Sequence, residues 1–156
     1  MIFDNMKSGT KLLWKKGRGK LGVMLPLLGS WKTEAESPVG PMYCTRQFES
    51  CLGGHYIRLT ARWDWGKGTY EEFAVYGVRN GKVVFWSFTS DGKRSDGEIA
   101  NAPEIHPEAI AFRAKMPAGL ARMIYWPRED GGINWAVEAK TKKGWRRFTQ
   151  HHYIPT

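Results

Sequence analysis

Residues 56–65 alternate without exception. Ile57, Leu59, Ala61, Trp63 and Trp65 fall on one side, and Tyr56, Arg58, Thr60, Arg62 and Asp64 on the other. A helix would gather its apolar residues at spacings of three and four, whereas a period of two is the mark of a strand with one buried face. Gly66-Lys67-Gly68 ends that strand. Similar turn signals recur along the chain: Asn80-Gly81, Ser90-Asp91-Gly92-Lys93, Pro117-Ala118-Gly119, Glu129-Asp130-Gly131-Gly132 and Lys140 to Gly144. Asn-Gly is the preferred pair of a type I′ hairpin turn, because both central residues need positive φ. Between these signals the sequence predicts strands over 30–36, 42–49, 56–65, 70–79, 82–89, 94–100, 109–116, 120–127, 133–139 and 145–154. Only Asn101 to Pro107 makes a longer connection. Parallel strands need crossovers of a dozen or more residues, and no space is left for them, so the sheet is antiparallel. Closing so many strands into a barrel removes exposed edges. The expected fold is therefore all-β, an up-and-down barrel of about ten strands behind a short N-terminal helical or irregular leader.

The chain's 156 residues suit one domain, divided into a basic leader over 1–26, partly ordered or capping the barrel, and a barrel over 27–156. Eight Trp, seven Phe and six Tyr supply the flat side chains that a closed sheet can enclose. The net charge of +9 is concentrated. Residues 1–20 carry +5 and residues 140–147 carry another +5, so the rest of the chain is close to neutral. A near-neutral body lacks an extended electrostatic groove, which disfavours nucleic acid as a partner. Solvated lysines and arginines that aid solubility are the simplest reading of both clusters. Cys44 and Cys51 form no CxxC pair and are read as free thiols, as expected in a reducing cytoplasm. Leu21 to Gly29 is too short and begins too late for a secretory signal, and no stretch approaches a membrane span. The expected setting is cytoplasmic and the expected partner a small molecule, with a homodimer left open.

Leu27-Leu28-Gly29-Ser30-Trp31 resembles the Leu-x-Gly-x-Trp entry to the first strand of lipocalin-like (calycin) barrels. Phe48 to Tyr56 (FESCLGGHY) and Trp86 to Glu98 (WSFTSDGKRSDGE) resemble two hairpins of a bacterial lipocalin-like family of uncharacterised function. The likeness spans roughly 27–154. More distantly, Thr149-Gln150-His151-His152-Tyr153 resembles the C-terminal strand of the nitrobindins, ten-stranded barrels that bind haem through a histidine there. That resemblance implies a haem site at His151 or His152. The two histidines are adjacent here, a departure from the nitrobindin spacing. Adjacent strand residues face opposite sides, so only one of the pair can look inward.

The remaining chemistry is sparse. His55, His106, His151 and His152 show no metal-ligand spacing, no nucleophile motif is present, and no glycine-rich loop cradles a phosphate. No catalytic residue and no metal ligand is named, although a small barrel enzyme of unknown reaction stays open as a third reading. The leading expectation is a partly apolar, anionic ligand inside the barrel, with no cofactor other than the haem of the alternative. Trp63, Tyr76, Trp86, Phe88, Tyr125 and Trp135 would enclose its apolar part, and Arg113, Arg122, His151 or His152 would hold its polar head.

Overall fold

The computed structural model describes residues 14–156. Ten antiparallel strands close into one barrel: β1 (Gly29–Ser37), β2 (Gly40–Cys51), β3 (Tyr56–Asp64), β4 (Thr69–Arg79), β5 (Lys82–Thr89), β6 (Arg94–Ala100), β7 (Ile110–Met116), β8 (Gly119–Pro127), β9 (Ile133–Thr141) and β10 (Gly144–Pro155). Each strand pairs with its neighbours in sequence, and β1 closes on β10 through Trp31 opposite Pro155. The all-β, ten-stranded antiparallel fold read from the alternation is the fold observed.

Local chemistry sets the corners. Asn80 and Gly81 have φ values of 52° and 75°, the pair of positive angles that the β4–β5 hairpin requires. Trp65 falls outside β3, since its N–H bonds the Gly68 carbonyl at 3.0 Å and closes the turn instead of continuing the strand. The β9–β10 strands run further than the charges suggest. Lys140 pairs with Trp145 and Thr141 with Gly144, so only Lys142 and Lys143 form the tip. Gly97 in β6 permits the closest approach in the barrel wall. A Cβ there would lie 2.0 Å from the Arg113 carbonyl oxygen and 2.6 Å from the Phe85 ring.

The two ends differ. At one end the 3-10 segment Lys20–Leu27 packs against β4 and β5 and inserts Met24 and Leu27, both fully buried, into the interior cluster. The Trp31 indole N–H donates to the Leu27 carbonyl at 2.9 Å and fastens the segment to β1. Behind it lies an aromatic core in which Tyr76 contacts Phe112 at 5.0 Å and Phe85 at 5.7 Å between ring centroids, while Phe48 meets Tyr125 edge-on at 5.8 Å. The other end carries the β1–β2, β3–β4, β5–β6, β7–β8 and β9–β10 turns. Inward positions there lose their cover: Trp63, Tyr70, Ala114, Ala121, Val137, Thr149 and His151 are only half-buried, although they alternate with outward residues. The barrel is thus packed in its plugged half, and at the rim of the other its inward residues are partly exposed. The first thirteen residues of the expected leader lie outside the described residues. Its final segment shares the barrel's core.

A second, smaller cluster lies outside the wall. Ala102, Ala111 and Ile124 are buried beneath the Asn101–Ala109 connection.

Candidate functional site

Arg46 marks the boundary between the packed and accessible halves. It sits on β2 among Met42, Cys44 and Phe48, all of which point inward, and its side chain is 0% exposed. Leaving a charged group that far from water is costly unless its donors are used. Nη2 donates to the Tyr125 hydroxyl oxygen at 2.9 Å and approaches Met123 Sδ at 3.8 Å. Nε and Nη1 make no hydrogen bond among the described residues. The guanidinium carbon lies 5.1 Å from the Trp135 ring centroid, 5.5 Å from Trp63, and 5.8 Å from both Tyr125 and Tyr153. Four π faces at that range partly repay the desolvated charge.

The nearest carboxylate among the described residues makes a long ion pair with it rather than a hydrogen bond. Glu72 Oε1 is 3.9 Å from Arg46 Nη2, while Ser87 donates its hydroxyl to Glu72 Oε2 at 2.6 Å. Trp135 adds another buried donor, since its indole N–H also has no partner among the described residues. The Trp135 ring stacks on His151 at 5.6 Å with 10° between the planes, and the Tyr153 hydroxyl donates to Cys44 Sγ at 3.3 Å. The result is an inward-facing set with surplus N–H donors, one acid, and aromatic walls.

Electrostatics keep the remaining groups neutral. Burial raises the Tyr125 hydroxyl to about 12, although Arg46 pulls against the shift. Burial likewise raises Tyr153 and the Cys44 thiol, with Arg46 opposing in both cases. Neither tyrosine is therefore primed as a base at neutral pH, and the thiol is not an activated nucleophile. His151 is lowered by burial, then by Arg46 and His152, which favours its neutral imidazole. Burial works against the Arg46 charge, and the Glu72 carboxylate works for it. This arrangement suits recognition of an acceptor better than proton transfer.

Five of the residues named from sequence meet inside the barrel: Trp63, Tyr76, Tyr125, Trp135 and His151. Tyr76 belongs to the packed half and does not reach the accessible one. The other five lie on the outer wall. Phe88 is 48% exposed and pairs with Phe73 across the outer face of β4–β5. Trp86 and Arg113 line an external cleft of about 580 Å³. Arg113 reaches Glu98 at 3.6 Å. Arg122 is buried, but by an outer cover: it bonds Glu138 through Nε at 2.9 Å and Glu104 through Nη2 at 2.8 Å, beneath the Trp145 ring at 4.4 Å. His152 is exposed. The polar head groups expected of Arg113, Arg122 and His152 are thus turned away from the interior by strand parity.

Arg46 and Tyr153 were not singled out as site residues, and Cys44 was read only as a free thiol. A signal for Arg46 exists in the sequence: Met42, Cys44, Arg46 and Phe48 share one parity of β2, so a lone arginine stands in an apolar row. Its pairing with Tyr125, 79 residues away, has no local trace.

Among the described residues no helix is long and apolar enough to cross a membrane, and no cluster of three His, Cys, Asp or Glu residues is arranged to hold a metal ion. Cys44 and Cys51 are unbridged. The chain matches no family model and no curated protein.

Proposed function

We propose that the barrel binds a partly apolar small molecule in its accessible half, with the polar end of the ligand seated on Arg46. The observation that carries this reading is a fully buried guanidinium whose Nε and Nη1 have no hydrogen-bond partner among the described residues, held among four aromatic rings. Buried donors without acceptors cost stability, and a ligand acceptor repays that cost on binding. Trp63, Tyr70 and Trp135 supply apolar wall above the guanidinium, as small-ligand pockets require. The acceptor is an oxygen of the ligand's polar end, and the barrel is read as lipocalin-like in this use of its interior.

The test is native mass spectrometry of the freshly purified chain beside Arg46→Met, with circular dichroism to verify that the variant folds. A bound mass on the first that is missing from the second supports the reading. An identical bound mass on both, or none on either after incubation with flat aromatic acids and amides, overturns it.

Haem ligation by His151 is the second reading. In its favour, the imidazole faces inward and is half-buried, and iron is ligated through a nitrogen lone pair in the ring plane, which stacking on Trp135 does not occupy. Bound there, haem would supply redox or diatomic-gas chemistry. Haemin titration separates the readings: a Soret band that vanishes in His151→Ala and persists in His152→Ala favours haem, and no band at all removes it.

A further inference from the structure

Single apolar residues on an outer wall need no explanation, whereas a contiguous block of them marks a contact surface. The outer wall of β4 and β5 carries such a block. Alternation turns Phe73, Val75 and Gly77 of β4 outward, and the register sets them opposite Phe88, Trp86 and Val84 of β5. Every outward position over these three successive rungs is therefore apolar or glycine. Tyr56 of β3 lays its ring over Gly77, where a Cβ would lie 2.7 Å from it, beside the Trp86 ring. Phe73 is 43% exposed and Phe88 48%. Elsewhere the chain covers such groups itself. The Asn101–Ala109 connection buries Ala111 and Ile124, while Arg147 and Arg122 lie over the Trp126 and Trp145 rings. Among the described residues nothing comparable covers Phe73 and Phe88.

The charges beside the block select its partner. Arg58 of β3 stands opposite Val75, and Asp96 of β6 stands opposite Trp86, so the two flank one rung from opposite sides. They are three strand spacings apart, about 14 Å, too far to meet within one chain. Arg58 bonds Glu49 and keeps 42% of its side chain exposed. Asp96 is exposed, and the nearby cations Lys82 and Arg113 bond Glu98 instead of it. We propose that a second copy of this chain covers the block, across a two-fold axis that runs along the strands between β4 and β5. That axis lays β4 on the partner's β5 and β3 on the partner's β6, rung for rung. Phe73 then meets the partner's Phe88, Val75 meets the partner's Trp86, and Arg58 meets the partner's Asp96, each contact occurring twice. A two-fold running across the strands would instead set Arg58 on the partner's Arg58 and Asp96 on the partner's Asp96, and like charges reject it. Convex walls touch over only these few strands, so the contact belongs to the weak, reversible class that buries less than about 1,200 Å². The outer face is separate from the interior, so this pairing stands or falls independently of the ligand reading.

The experiment is analytical sedimentation of the full chain over ~1–300 μM, a span suited to weak association, with circular dichroism to verify the fold of each variant. A reversible monomer–dimer equilibrium is expected, and Phe88→Ser should leave only monomer. Arg58→Glu and Asp96→Lys should each weaken the dimer at least ~10-fold, because each sets like charges together twice. Mixed in equal amounts, these two variants should pair again, since opposite charges then meet at both contacts. A chain that stays monomeric throughout overturns the proposal, whatever else covers the block, and so does a dimer untouched by Phe88→Ser. A dimer that neither charge variant weakens, or that the mixture does not restore, overturns the two-fold along the strands and the assignment with it.

Discussion

At the scale of single residues, Arg46 is a charge retained where an apolar side chain would pack. Replacing a whole buried ion pair with apolar groups of similar volume is often neutral or stabilising, whereas removing one partner strands the other. Arg46→Met combined with Glu72→Leu is therefore expected to hold thermal stability within about 1 kcal/mol of the parent, or to raise it, while ligand binding is lost. A chemical-denaturation curve measured beside a binding isotherm tests this separation, and a large loss of stability would make Arg46 a structural residue. His151 makes a second residue-scale prediction. Its pKa is lowered from 6.5 in the fold by burial, Arg46 and His152. Below that ordinary value the unfolded chain takes up a proton more readily than the folded one, so stability present above pH 6.5 falls as the pH drops through the lowered value. His151→Gln should flatten the decline of melting temperature in that acid window. An unchanged decline would assign the acid sensitivity elsewhere. Neither residue's setting was visible locally, because both depend on partners brought in from other strands.

Among the elements, the strands were legible and their faces only partly so. Strict alternation in β3 and the Asn-Gly and Asp-Gly turns located strands to within a few residues, since those signals are local. The faces of β5, β7 and β8 were harder, because apolar residues line both sides where an outer layer covers the wall. Ile124 is buried outside, beneath the β6–β7 connection, and Arg122 shares its parity under Trp145. In β10 a bulge between Arg147 and Thr149 shifts the register, so Arg147 meets Glu138 outside while Thr149, His151 and Tyr153 face in. Parity counted without that bulge puts Arg147 and His151 on one face. Two outcomes follow for the elements. Arg122→Ala leaves the buried Glu138 with only Arg147, and should cost roughly 3 kcal/mol in denaturant unfolding without altering ligand affinity. A loss of affinity with stability intact would instead return Arg122 to the ligand. Gly97→Ala drives a methyl into the Arg113 carbonyl, a backbone atom that cannot swing aside, and should cost about 2–3 kcal/mol by the same assay.

Across the whole molecule, the barrel has one end filled by the 3-10 segment and aromatic side chains and the other with half-buried inward residues at its rim. The 3-10 segment and the Phe48–Tyr76–Phe112 aromatics fill the first. Inward residues at the second keep part of their surface in contact with solvent, with Arg46 and Glu72 at the floor. Number of strands, closure and the dense aromatics were readable from the sequence because they follow from periodicity and composition. Which half is filled was not, since it depends on where Met24 and Leu27 dock from outside the sheet. The most direct measurement is amide and side-chain NMR of the labelled protein titrated with 1-naphthylacetamide. Saturable shifts confined to Arg46, Trp63, Glu72, Trp135 and His151, with Phe48, Tyr76 and Phe112 unmoved, are the predicted result. Shifts gathered instead around Trp86 and Arg113, or around Arg122 and Trp145, would place binding on the outer wall and contradict the interior site.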